Sequence, residues 1–124
     1  MKIGELSKRT GLSAHTIRYF ERIALLPPAD RDASGQRDYD ESILVWISFL
    51  MRLKTTGMPI REMRQYAELR ALGGQTGDAR RALLERHRDK VRQQLAELEA
   101  SLLVIDTKIE TYTEAEKRTL SHDN

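Results

Sequence analysis

Three features predict a mainly α fold in which a winged helix-turn-helix precedes a long coiled-coil helix. Gly11-Leu12-Ser13 is a three-residue turn between two short helical stretches. A polar segment containing Ser34-Gly35 follows a Pro27-Pro28 break and reads as a small hairpin, the wing. From Asp78 onward, large apolar residues recur at spacings that alternate between four and three.

The first helix is expected over Ile3–Thr10, with Ile3 and Leu6 apolar and Gly11 as its left-handed stop. Ser13 is placed to cap the second helix through its hydroxyl. Within that helix Ile17, Phe20 and Ala24 share one apolar face, and His15, Thr16, Arg18, Tyr19 and Arg22 share the other. The outer face has two guanidinium groups, a phenol, a hydroxyl and an imidazole, opposed only by Glu21 at its edge. Such donors suit phosphates and guanine edges in a major groove. The same pattern also fits a solvated amphipathic helix.

Leu25-Leu26-Pro27-Pro28 ends the second helix, because paired prolines cannot continue it. In the wing, Arg31, Arg37 and Tyr39 are able to contact a sugar-phosphate backbone, and Arg37 and Tyr39 alternate onto one strand face. Asp30, Asp32, Asp38 and Asp40 favour a plain surface loop instead. Asp40 can cap a third helix from Glu41 to Thr56, whose apolar residues are too widely spread for a single stripe. Gly57 and Pro59 separate it from a fourth helix with a stripe of Ile60, Met63 and Ala67. Arg64, Glu68 and Arg70 lie off that stripe and are expected in solvent. The fourth helix stops at Gly73-Gly74.

The domain organisation expected is a DNA-binding head over 1–74, a flexible linker at 75–78, a coiled-coil dimerisation helix over 79–113 and a polar, frayed tail over 114–124. The seam is Leu84, Arg88, Val91, Leu95, Leu98, Leu102, Ile105, Ile109 and Tyr112, apolar except at Arg88. A lone helix would leave that stripe in water, so a second copy of the chain is the expected cover. Spacing alone leaves parallel and antiparallel pairing open.

At 124 residues the chain supports one small domain plus an appendage. It has no cysteine, which excludes disulfides and thiolate metal sites. No apolar run approaches the ~20 residues that span a bilayer, and the first residues lack a signal-peptide core, so a cytoplasmic location away from membranes is expected. The net charge is +2. Residues 1–75 hold 12 Lys+Arg against 9 Asp+Glu, and residues 76–124 hold 9 against 10, so the excess lies with the candidate reading helix. His15, His87 and His122 are scattered and lack a carboxylate at metal-ligand spacing. No nucleophile–base pair or phosphate-cradling loop is present, so neither an enzyme nor a cofactor is expected. Trp46, Met51 and Tyr66, with Phe49, Met58 and Met63, could line an effector pocket, although aromatics and Met at helical spacing usually fill cores.

Taken together, Thr16-Ile17-Arg18-Tyr19-Phe20-Glu21, Leu25-Leu26-Pro27-Pro28, Gly35-Gln36-Arg37-Asp38-Tyr39 and Gly57-Met58, followed by the heptad helix, resemble the MerR family of bacterial transcription regulators. The C-terminal part looks most like the branch that responds to reactive aldehydes and related stress. The resemblance implies a dimer held by an antiparallel coiled coil, sitting on double-stranded promoter DNA with RNA polymerase. Bending and untwisting the segment between the promoter elements would bring them into register, a form of indirect readout. It implies DNA contacts from Thr16, Arg18 and Tyr19 in the second helix and from Arg31, Arg37 and Tyr39 in the wing. The Gly57–Arg61 turn would be a second wing. Phe20 stands where a second Tyr is more usual, and Gln36 where a wing Tyr is usual. Arg52 stands where the aldehyde-responsive branch often carries its sensing Cys, which rules out the same covalent chemistry here. An architectural DNA binder or recombination accessory factor would use the same module without recruiting polymerase.

Overall fold

The computed structural model describes residues 1–122 and divides the chain into two compact units, Met1–His87 and Arg88–Asn124. The first unit holds the winged helix-turn-helix. Helix α1 spans Ile3–Thr10 and α2 spans Ala14–Arg22; strands β1, Asp30–Arg31, and β2, Arg37–Asp38, form the wing. Helices α3, Ile43–Thr55, and α4, Ile60–Leu72, follow, then a single 3-10 turn at Gly74–Thr76 and a long helix α5, Gly77–His122. The apolar spacing predicts these elements because each buries one side. Leu6 of α1, Ile17 and Phe20 of α2, Ile47 and Leu50 of α3, Met63 of α4 and Leu83 of α5 meet in one core.

The helix ends show how local chemistry sets the path. Gly11 takes φ +77° and donates to the Ser7 carbonyl, closing α1. Gly57, at φ +91°, closes α3: its N–H reaches the Lys54 carbonyl while Met58 N–H reaches Leu53. Helix α2 ends in the same six-residue pattern but without glycine. Ala24 N–H donates to Glu21 at 3.1 Å and Leu25 N–H to Phe20 at 2.9 Å, and Ala24 itself sits at φ +64°. The sequence-based expectation that Ala24 extends the apolar face of the helix is therefore corrected. The helix stops at Arg22, and Leu25 and Leu26 turn back into the core.

Asp40 does not cap α3 as expected: the helix begins at Ile43 after Ser42, and the Asp40 side chain accepts from Ser42 N–H at 2.9 Å in the turn before it. Trp46 is buried, and its indole N–H donates to the Leu25 carbonyl at 2.9 Å, tying α3 to the turn after α2. Tyr66 stacks on Trp46 at 5.8 Å, and the Arg70 guanidinium covers the indole at 4.2 Å. Arg70 is exposed, as expected, and its flat cation also lies on an aromatic face. Arg64 is likewise exposed, and its Nε donates to the Ile23 carbonyl at 3.0 Å.

The stretch expected as a flexible linker at 75–78 is hydrogen-bonded. The Thr76 hydroxyl lies 2.6 Å from the Leu69 carbonyl and 2.8 Å from Gly73, and Arg80 Nε donates back to it at 3.1 Å. Leu84 packs against the core, and His87 is buried with Nε2 2.7 Å from Thr56 Oγ1. The same hydroxyl reaches the Arg52 carbonyl at 2.8 Å, so Thr56 links the end of α3 to the histidine of α5. The polar tail expected over 114–124 is helical through His122, carried by residues of good helix propensity and a Glu114–Lys117 pair at 3.7 Å. The part of that expectation covering Asp123 and Asn124 lies outside the described residues. Among the described residues no helix is long and apolar enough to cross a membrane.

Replacing Ala24 by Gly should stabilise the head by about 0.5–1 kcal/mol, since relief of left-handed strain exceeds the added unfolded-state entropy. Urea unfolding followed through the single Trp46 reads this directly, and a destabilised variant would contradict the turn geometry.

Candidate nucleic-acid interface

Helix α2 presents its outer face because both its ends are fixed. At the N-terminus the Ser13 hydroxyl accepts from Thr16 N–H at 3.1 Å and donates to Thr16 Oγ1 at 2.9 Å. Ile17 and Phe20 are buried behind it, leaving His15, Arg18, Tyr19 and Arg22 exposed and Thr16 half-buried. The Arg22 guanidinium lies 5.6 Å from the Tyr19 ring centre, one turn away on the same face.

The wing is a two-stranded antiparallel hairpin in which Arg31 faces Arg37. Its turn is organised by Asp32, whose Oδ1 accepts from Ser34 N–H, Ser34 Oγ and Gln36 N–H at 2.9, 2.7 and 3.0 Å. Gly35 supplies the positive φ of +82°. Lys2 pairs with Asp32 as well. Arg31 reaches the Gly35 carbonyl through Nη1 at 3.1 Å. The aspartates that favoured a plain surface loop are therefore mostly internal struts of the hairpin and its flanks.

The wing and α2 close around a cleft of about 490 Å³ lined by His15, Arg18, Glu21, Arg22, Pro28, Ala29, Arg31 and Arg37. Four arginines and a histidine face one carboxylate there. Five of the eight residues singled out from the sequence are thus brought together, while Thr16 and Tyr19 lie on the same helix outside the lining. Tyr39 is placed differently. Its ring is buried at 4% exposure, and its hydroxyl donates to Glu21 Oε1 at 2.7 Å. Burial and the neighbouring Glu21 carboxylate push the phenol well above its ordinary range, so it stays protonated. Arg37 Nε donates to the other Glu21 oxygen at 2.8 Å, and that bond holds the guanidinium proton above its usual range.

One group was not anticipated: Lys2 joins Arg31 and Arg37 along a second groove beside the hairpin. Its only signal in the sequence was positive charge, which does not say what it faces. Arg61, which closes the turn expected as a second wing, flanks a cleft with Arg64, Ile23 and Ala24 at the other end of α2.

The effector-pocket trio is not one pocket. Trp46 and Tyr66 stack on each other, whereas Met51 lines a cavity of about 380 Å³ between α1 and α3 with Arg9, Thr10, Leu44, Ile47, Ser48, Arg52 and Thr55. In α5, Leu84 turns to the head's own core and Val91 is half-buried, while Leu95, Leu98, Leu102, Ile105, Ile109 and Tyr112 are each more than half exposed. No group of His, Asp or Glu among the described residues could hold a metal ion.

A winged helix-turn-helix with a basic cleft between reading helix and wing defines a DNA-binding module. Residues 1–69 match the family described as MerR HTH family regulatory protein, and residues 44–117 match MerR, DNA binding. The chain belongs to the MerR family of helix-turn-helix transcriptional regulators. It is 38% identical to the HTH-type transcriptional regulator AdhR of Bacillus subtilis over 91 residues, which span 73% of this chain and 65% of AdhR. A crystal structure of a MerR family transcriptional regulator from Listeria monocytogenes superposes with a TM-score of 0.85 at 36% identity, covering 90% of this chain and 85% of that one. The structure of HiNmlR, a MerR family regulator lacking the sensor domain and bound to promoter DNA, has a TM-score of 0.80 at 32% identity and covers 93% and 91%.

Ser13→Ala should destabilise the head by about 1 kcal/mol through loss of the α2 cap, and Ser13→Asp should retain most of it. Equal urea midpoints for wild type and Ser13→Ala would show that the hydroxyl does not hold the helix end.

Proposed function

We propose that the chain works as a homodimer on promoter DNA, with α2 in the major groove and the wing on the flanking backbone. His15, Thr16, Arg18, Tyr19 and Arg22 read or grip from the helix, and Arg31 and Arg37 grip from the hairpin. The observation that carries this is the convergence of Arg18, Arg22, Arg31 and Arg37 on one exposed cleft. Donors of that kind at that spacing suit a phosphate path beside a groove. The promoter-bound HiNmlR structure supports the reading, because it is a similar chain without a sensor domain.

The proposed action is to hold the segment between the two promoter elements bent and untwisted, so that RNA polymerase meets both in register. A bend of this kind is maintained by backbone contacts against a duplex that resists deformation. The chain has no cysteine, and Arg52 is exposed at the end of α3, so any effector or stress signal acts here without a thiol.

The α5 seam supports the dimer. Six large side chains more than half exposed on one stripe are costly in water, at roughly 1.5–3 kcal/mol each when fully buried. An antiparallel register centred between Leu98 and Leu102 would set Val91 against Ile109, Leu95 against Ile105 and Leu98 against Leu102 of the partner subunit. It also brings Arg92 beside Asp106 of the partner subunit. Parallel pairing would instead put Arg88 against its own copy.

Gel shift and anisotropy titrations with promoter DNA test the reading. Arg18→Ala should weaken binding by at least about tenfold, the scale of one lost arginine contact. The log of wild-type affinity should fall with log salt at a slope steeper than about −4, as several phosphate contacts require. A shallow slope, or full binding by the variant, would remove the assignment. In sedimentation, Arg92→Asp should weaken the dimer and the Arg92→Asp/Asp106→Arg pair should restore it. Indifference to both would point to another pairing.

A further inference from the structure

One carboxylate joins the wing to the reading helix. Glu21 sits on α2 with its side chain 11% exposed and accepts from two wing residues. Arg37 Nε reaches Oε2 at 2.8 Å, and the Tyr39 hydroxyl reaches Oε1 at 2.7 Å. A negative group beneath a surface that meets phosphates repels them unless its charge is already matched. Arg37 supplies the match, and the way it does so has a further effect.

A guanidinium is a rigid planar fork with five donors. Glu21 takes Nε, on the rear edge of the fork, and leaves the terminal nitrogens to the cleft that Arg37 lines with Arg18, Arg22 and Arg31. Its partner across the hairpin, Arg31, is engaged the other way, with Nη1 already committed to the Gly35 carbonyl. Tyr39 is unavailable for a phosphate, since its ring is buried and its hydroxyl points at Glu21. The wing therefore offers Arg37 as a cation held from behind, with its front edge open. Lysine could not do this, because a single ammonium meets either the carboxylate or the phosphate with its one charge centre.

We infer that Glu21 is a positioning residue for DNA binding: it holds Arg37 by Nε so that the terminal nitrogens meet a backbone phosphate, and it locks wing and reading helix into one register. The inference rests on the promoter-DNA reading above. Removing the negative charge of Glu21 should therefore weaken DNA binding, although simple electrostatics predicts the opposite.

The test uses full-length protein, a duplex from the promoter region beside its own gene, and anisotropy at several salt concentrations. Arg37→Ala should bind about tenfold more weakly, with the log–log salt slope shallower by about 0.9, one phosphate's worth. Glu21→Gln should lose about fivefold, and Glu21→Gln/Arg37→Ala should be no weaker than Arg37→Ala alone, because the first residue acts only through the second. Arg37→Lys should be as weak as Arg37→Ala. Tyr39→Phe should lower the melting temperature while keeping wild-type affinity, since it leaves the Glu21–Arg37 bond in place. The inference is overturned if Glu21→Gln binds as well as wild type or better, if the two losses add, or if Arg37→Lys restores binding. It also falls if Tyr39→Phe weakens DNA binding as much as Glu21→Gln, because wing stability would then be the cause. Should the wild-type protein bind no promoter duplex, the proposed function itself fails and this inference goes with it.

Discussion

The Phe20 carbonyl accepts two backbone N–H groups, from Leu25 at 2.9 Å and from Leu26 at 3.2 Å, and much of the head depends on that reversal. It ends α2 at Arg22 and sends Leu25 and Leu26 into the core ahead of the wing. The indole of Trp46 then donates to the carbonyl of Leu25, so α3 is tied to the same turn. Ser13 fixes the opposite end of α2. A reading helix of nine residues is too short to be stable alone. Its outer face is defined because both termini and the inner face are held by the rest of the head.

Electrostatics in this head works by assignment rather than by net charge. The chain carries only two more cations than anions in formal charge. Yet the acidic residues around the hairpin are largely engaged within the fold. Asp32 serves three donors of its own turn, Asp40 accepts from Ser42 N–H in the turn before α3, and Glu21 meets Arg37 and Tyr39. Asp38 is held by the Met1 amino group, which keeps its carboxyl below the usual range. Arg18 and His15 have no such partner among the described residues. The cleft is more basic than the local composition suggests, because its anions are already hydrogen-bonded and its cations mostly face outward.

What could be read from the sequence was whatever residue type announces itself. Gly11, Ser13, the Ser34-Gly35 turn, Gly57 and the heptad stripe each have a conformation or period that few other residues supply, and the helices and hairpin they mark are present, although α3 starts at Ile43 rather than Glu41 and α5 runs from Gly77 to His122 rather than over 79–113. Ala24 adopts the conformation of Gly57 without being glycine, so the end of α2 left no mark. Thr76 looked like part of a polar glycine-rich joint, but its hydroxyl closes that joint onto Leu69 and Gly73. Arg64 and Arg70 are exposed, as helical position indicates, but position cannot reveal that a carbonyl or an indole also lies within their reach. At the site, the outer face of α2 was legible from periodicity alone. The role of Glu21 was not, since it depends on a contact sixteen to eighteen residues away in the chain.

Helix α5 shows why a heptad pattern locates a seam more reliably than it locates its ends. The four-three spacing runs from Leu84 to Tyr112, apolar except at Arg88, and nothing in the spacing sets Leu84 itself apart from the later apolar positions. In the structure Leu84 lies against the core of the head, alongside Leu83 and beside the His87–Thr56 contact. Its apolar surface is already partly covered, so it has less to offer a second chain than Leu95 or Leu98, which are more than half exposed. Periodicity reports which side of a helix is apolar; it is silent on whether one partner or two will cover it. The same helix can therefore carry one periodic stripe that packs inside its own head at one end and remains open along the other, and the proposed dimer contact belongs to the open part.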